Sequence, residues 1–195
     1  MSPPGRPKGE YRSAQHEAAP VSAAPLAILV MGVCGCGKST VGQQLAREIG
    51  AAFIEGDTFH SAANVAKMAA GTPLTDEDRE GWLQILAAQL AQASAERRGV
   101  VLACSALKRR YRDTLRNGAP ALHIVHLQGA RALLAARMAA RTGHYMPPAL
   151  LDSQLATLEA PQTDEQAIAI DIAASTEEQV RAALTQLHST TGPAS

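Results

Sequence analysis

"LAILVMGVCGCGKSTVGQQL", residues 26–45, sets an apolar run, a glycine-rich turn and an amphipathic segment end to end. The first six residues are apolar without a break, the pattern of a parallel strand covered on both faces. Past the turn, Val41, Leu45 and Ile49 recur at helical spacing and Gly50 closes the segment. Between strand and helix, Gly32 to Ser39 fits G-x-x-x-x-G-K-[ST] at every fixed position, in the context that this loop requires. The glycines open backbone angles closed to other residues, so successive N–H groups turn toward one anion. The helix N-terminus adds partial positive charge. The expected ATP contacts are therefore Gly32, Val33, Cys34, Gly35, Cys36, Gly37, Lys38, Ser39 and Thr40. Lys38 would reach the β- and γ-phosphates, and the Ser39 hydroxyl would ligate Mg²⁺.

Two of the three cysteines fall inside this turn. As metal ligands they supply half a tetrahedral site, and neither a second Cys pair nor a His-x₃₋₅-His completes it. Small side chains packed behind the loop are the simpler reading. Thiols beside a helix N-terminus and a lysine can also have a lowered pKa, which leaves open an oxidation-sensitive loop.

Working outward, residues 1–25 are rich in Pro, Ala, Ser and Gly without periodicity and read as a disordered tail. Residues 26–190 read as one domain, with a short tail at 191–195. Further short strands are expected at 51–54, 100–104, 121–127 and 167–173. Helices are expected at 61–70, from the Trp82 region to about Arg98, at 106–117, 130–141 and 148–158, and after a Ser175/Glu178 capping box. "GTPLTDEDR" (71–79) reads as a loop. Five strands alternating with helices imply an α/β fold, a parallel sheet between two helical layers, with ligands at the strands' carboxyl ends. Eighteen basic residues balance eighteen acidic ones, so no overall field favours nucleic acid or an anionic membrane. No apolar run approaches a membrane span, and an odd cysteine count suits a reducing cytoplasm.

The segments after the loop bear on the phosphoryl acceptor. Glu55 and Asp57 follow the second strand, where strand ends meet the site. An acceptor hydroxyl needs a carboxylate to orient it and take its proton, so Asp57 is the candidate base and Glu55 the metal-side carboxylate. Both also fit as turn residues. Lys108, Arg109, Arg110, Arg112 and Arg116 lie close together, as in an anion site or equally a solvated helix face. Arg137 and Arg141, one helical turn apart before a flexible Thr-Gly, have the placing of lid arginines that reach the transferring phosphate. A surface helix would look the same.

"MGVCGCGKST", "EGDTFHSAANVAKMAAGTPLTDEDREGWL", "CSALKRRYRDTLR" and "GHYMPPALLDSQLATLE" together resemble the thermoresistant-type gluconokinases, relatives of shikimate kinase among P-loop small-molecule kinases. The resemblance runs from about Leu26 to about Leu187. It implies a P-loop NTPase-type three-layer α/β/α fold with a helical lid. It also implies a Mg²⁺-dependent transfer from ATP to D-gluconate, giving 6-phospho-D-gluconate, in a cytoplasmic, commonly dimeric enzyme. By the same resemblance Asp57 faces the sugar-acid hydroxyl, and His60, Lys67 and Arg79 line the acceptor side. Ser105, Lys108 and Arg112 match a further substrate block, with Lys108 the leading choice for the gluconate carboxylate. Arg137 and Arg141 match the lid, and His144 and Gln154 lie near the acceptor entrance. Where the family usually has Ser, this chain has Cys34 and Cys36, and where it has Asp, Glu55. Ser61 and Gly81 replace usual prolines, a change expected to loosen two turns. A GTPase switch is the competing class, but no Asn-Lys-x-Asp occurs in the chain. Shikimate or a nucleoside monophosphate is the nearer rival as acceptor.

Overall fold

In the computed structural model, β1 (Ala27–Met31) occupies the middle of a five-stranded sheet ordered β2-β3-β1-β4-β5. The description covers residues 25–140 and 148–191. Most of the two expected tails, together with Arg141 and His144, lies outside the described residues. The other strands are β2 (Ala52–Glu55), β3 (Val100–Ala103), β4 (His123–Gln128) and β5 (Ala167–Asp171), and all pairings are parallel. In register, Leu29 of β1 faces Leu102 of β3 on one side and Ile124 of β4 on the other.

The unbroken apolar run of β1 serves two cores because alternate side chains point to opposite faces. Ile28 and Val30 join Val41 and Leu45 of α1 (Lys38–Glu48) and Val180 and Leu187 of α7 (Thr176–Thr191). Leu29 and Met31 join Trp82, Leu86 and Leu90 of α3 (Asp76–Ala95) and Tyr111 and Leu115 of α4 (Arg109–Arg116). The result is the expected three-layer fold. Two further helices, α5 (Arg131–Ala139) and α6 (Pro148–Thr157), stand by the first core through Leu134 and Leu151.

Two local expectations change. The stretch read as a loop through Arg79 stops at Thr75, which caps α3: its hydroxyl accepts from Asp78 N–H while the Asp78 carboxylate accepts from Thr75 N–H. This reciprocal box makes the acidic run a helical first turn, where negative charge meets the helix dipole favourably. Ser61, expected to loosen its turn, instead caps α2 (Ala62–Ala69) by accepting from Asn64 N–H at 3.2 Å.

Candidate active site

The glycine loop joins β1 to α1 at the centre of the sheet's carboxyl edge. Gly37 caps α1 with φ of 95° and offers no side chain to it, and no acidic residue stands in the first turn. The first N–H groups of α1 are thus left for an anion. At Gly35, φ is 79° and a Cβ would lie 2.8 Å from Met138 and 3.1 Å from the Leu134 carbonyl, so α5 presses directly on the loop. Lys38 Nζ donates to the Val33 carbonyl at 3.1 Å. The N–H of the same peptide, from Cys34, donates to Gln154 Oε1 at 2.7 Å.

All three cysteines are free and buried. Cys36 is fully enclosed, and Cys34 Sγ lies 3.3 Å from Met138 Sδ. Burial raises the Cys34 thiol pKa despite the opposing pull of Lys38. The lowered pKa that an oxidation-sensitive loop would need is therefore absent at Cys34, because desolvation of a thiolate outweighs the neighbouring charge.

On the β2–β3 side, Glu55 ends β2 half-buried and Asp57 follows, exposed, in a 3₁₀ turn (Gly56–Phe59). Trp82 holds this turn from below: its Nε1–H donates to the Gly56 carbonyl at 2.8 Å, and its ring stacks on His60 with centroids 4.1 Å apart. Burial lowers the His60 pKa, with Asp57 opposing and Arg79 reinforcing, which favours the neutral imidazole. Just past β3, the Cys104 thiol is pushed up to about 12 by burial and then by the Asp57 charge, while Lys38 and Arg79 act in the other direction. Asp57, Lys38 and Arg79 thus make themselves felt at one buried point. Ser105, half-buried, follows it.

The basic block divides into different roles. Arg112 is wholly buried, with Nε and Nη2 donating to Glu165 at 2.6 and 2.8 Å and Nη1 to the carbonyls of Ala106, Leu107 and Glu159. Its expected place as a substrate ligand is corrected: its donors are spent inside the fold. Burial alone would raise the Glu165 carboxyl, but Arg112, the Gln162 N–H and Arg116 hold it at about 2. Lys108 donates to both Asp76 oxygens at 2.9 and 3.0 Å, and Tyr111 Oη and Arg110 also meet Asp76. Lys67, exposed on α2, pairs with Asp78 at 2.6 Å. Arg79 makes no ion pair among the described residues; it reaches the Leu74 carbonyl at 3.4 Å and lies 5.9 Å from the Tyr111 ring centroid.

On the β4–β5 side, Arg137 Nη2 donates to the Ile172 carbonyl at 2.7 Å, beyond the end of β5. A cavity of about 320 Å³ there is lined by Gln128, Gly129, Ala130 and Asp171. Gln154, expected near the acceptor entrance, contacts the phosphate loop, accepting from Cys34 N–H. Sequence reasoning missed Trp82 and Asp76 as site residues. Trp82 was absorbed into a helix's apolar face, and Asp76 into a supposed loop; Thr75-x-x-Asp78 was the signal that Asp76 opens a helix.

A parallel sheet with this loop after its central strand, and an acidic and basic rim at the strands' carboxyl ends, defines a P-loop kinase. A family model described as an AAA domain matches residues 28–161. A gluconokinase from Gluconobacter oxydans is 47% identical over 146 residues, covering 75% of this chain and 82% of its own length. The thermosensitive gluconokinase of Escherichia coli is 46% identical over 145 residues, covering 74% and 78% respectively. The crystal structure of a gluconokinase from Sinorhizobium meliloti superposes with a TM-score of 0.77 at 47% identity, covering 87% of this chain and 95% of that one. The chain belongs to the gluconokinase family.

Proposed function

We propose that the chain transfers the γ-phosphoryl group of ATP to a hydroxyl of D-gluconate, yielding 6-phospho-D-gluconate and ADP. The observation that carries this reading is the exposed Asp57 carboxylate just past the carboxyl end of β2, whose charge, like those of Lys38 and Arg79, reaches the buried Cys104 at the end of β3. The gluconokinase relatives supply the identity of the acceptor.

In this reading the two substrates take opposite sides of the phosphate loop: the nucleoside the β4–β5 side, where the cavity at Gln128 and Asp171 supports it, and the acid the β2–β3 side, beside Asp57. Asp57 orients the acceptor hydroxyl and takes its proton as the O–P bond forms. Among the described residues Lys38 and Arg137 are bonded only to carbonyl oxygens, so their charge stays available for the transferring phosphoryl; Arg141 is assigned with them. Arg79, which no carboxylate among the described residues engages, is the cation best suited to the gluconate carboxylate. Lys108, held by Asp76, has one N–H left for the substrate. His60, Lys67, Ser105 and His144 complete the acceptor assignment.

Mg²⁺ fits the oxygen donors present, the Ser39 hydroxyl at the start of α1 and the Glu55 carboxylate at the end of β2, with phosphate oxygens completing the set. When bound, it neutralises charge on the phosphates. A homodimer in the cytoplasm belongs to the same reading. It is supported by exposed Val65, Met68 and Ile85 on α2 and α3, and by three free thiols.

An ADP-release assay compares gluconate, shikimate, other sugar acids, AMP and no acceptor. Gluconate should give the fastest turnover, well above the acceptor-free rate. ADP formation no faster with gluconate than without acceptor rejects the assignment.

A further inference from the structure

The peptide between Val33 and Cys34 is gripped at both ends. Lys38 donates to its carbonyl at 3.1 Å, and its N–H donates to Gln154 Oε1 at 2.7 Å. The residue that reaches ATP and a residue of α6 therefore meet across a single peptide group.

From Gln154, α6 leads to the acceptor side within five residues. Leu151, on the preceding turn, is buried in the first core, and Leu158, just past the helix, packs against both cores. Arg131 of α5 pins the outer face of α6 through Asp152 at 2.7 and 2.8 Å. Beyond α6, Glu159 meets the basic block three times. Its N–H donates to the Leu107 carbonyl at 2.9 Å, its carbonyl accepts from Arg112 at 3.0 Å, and its carboxylate accepts from Arg109 N–H at 2.6 Å. Lys108, the N-cap of α4, provides no side-chain cap. The Glu159 carboxylate does that work at the positive end of the helix.

We propose that Gln154 is a positioning residue that links the phosphate loop, through α6, to the N-terminus of α4 beside Lys108. The proposal rests on the ATP half of the function above. Phosphates in the loop compete with the Val33 carbonyl for the Lys38 ammonium; as that bond lengthens, the peptide is less polarised and its N–H bond to Gln154 weakens. A glutamine suits this exchange, since its Oε1 accepts from the loop and its amide NH₂ can donate to a phosphate oxygen. The shift of α6 then reaches α4 through Glu159.

Hydrogen–deuterium exchange of residues 107–116, with and without a non-hydrolysable ATP analogue, tests this without any acceptor. In the parent chain the analogue should change exchange there by about 5-fold or more, the size of a typical coupling. Gln154→Ala should abolish the response. Alanine at a half-exposed helical position keeps the fold, which an unchanged melting temperature verifies. Gln154→Glu keeps an acceptor for Cys34 N–H but repels phosphate, and should lose the response as well. A response absent from the parent chain, or retained in both variants, overturns the proposal. Fluorescence of Trp82 then gives the gluconate Kd with and without the analogue. The ratio should differ from one in the parent and fall to near one in Gln154→Ala; an unchanged ratio in the variant also counts against the link. Loss of gluconate binding alongside an intact exchange response would reject the acceptor and leave the link standing.

Discussion

Asp57 is exposed on a turn whose two ends are held: Gly56 is buried against Ala103 and Leu86, Phe59 packs on the second core, and Trp82 donates to the Gly56 carbonyl and stacks on His60. Replacing the carboxylate by an amide preserves size and removes the base. Asp57→Asn should slow turnover by about 10²-fold or more while the ATP analogue still binds; near-normal turnover in a steady-state assay would remove the role. The two candidate cations for the acid are separable in the same way. A charge-assisted hydrogen bond contributes about 1.5–3 kcal/mol, so Arg79→Met should raise the gluconate KM by about 10–100-fold. Lys108→Met should raise it less, because Lys108 already spends two donors on Asp76. The reverse order would return the carboxylate to Lys108. Why the sequence ranked these cations differently is physical. Five basic residues between Lys108 and Arg116 look alike in one dimension. Only the acid that each one finds distinguishes them: Asp76 for Lys108, Asp164 for Arg109 and Glu165 for Arg112, the last 53 positions away.

Among the elements, strands were easier to read than helix starts. A strand such as β1 or β3 is buried on both faces and writes that as an uninterrupted apolar run. The start of α3 is written in acidic residues, which a hydropathy pattern assigns to a loop, although Thr75 and Asp78 form a reciprocal cap. The same helix carries Gly81, exposed in its interior, where a Cβ would meet nothing within 4 Å. Its φ is not among the positive ones, so the glycine serves no turn there. The helix bears the backbone entropy of glycine with no packing gain. Gly81→Ala should therefore stabilise the protein by about 0.5–1 kcal/mol, read as a rise of about 1–4 °C in Tm. A fall in Tm would mean that the side chain meets something on this surface, such as a second copy.

At the scale of the whole molecule, Arg112 and Glu165 tie α4, which connects β3 to β4, to the 3₁₀ turn (Thr163–Glu165) that precedes the edge strand β5. Both side chains are fully buried, so the pair's effect on stability depends on how it is broken. Glu165→Gln leaves a buried guanidinium without its counter-charge and should cost about 3–5 kcal/mol, whereas replacing both residues by Met and Leu should recover much of the loss. The pH dependence follows from the carboxyl's shift. Its pKa falls from 4.5 to about 2 on folding, so the unfolded chain binds the proton first as pH drops. The contribution is complete above about 4.5 and is lost as pH falls through about 2. Urea unfolding at pH 7, 4 and 3 should therefore show a gap between parent and Glu165→Gln that is widest at pH 7 and narrows at each lower step. A gap independent of pH would mean that the carboxylate's charge does not stabilise the fold, leaving Arg112 to be held by the carbonyls of Ala106, Leu107 and Glu159 alone.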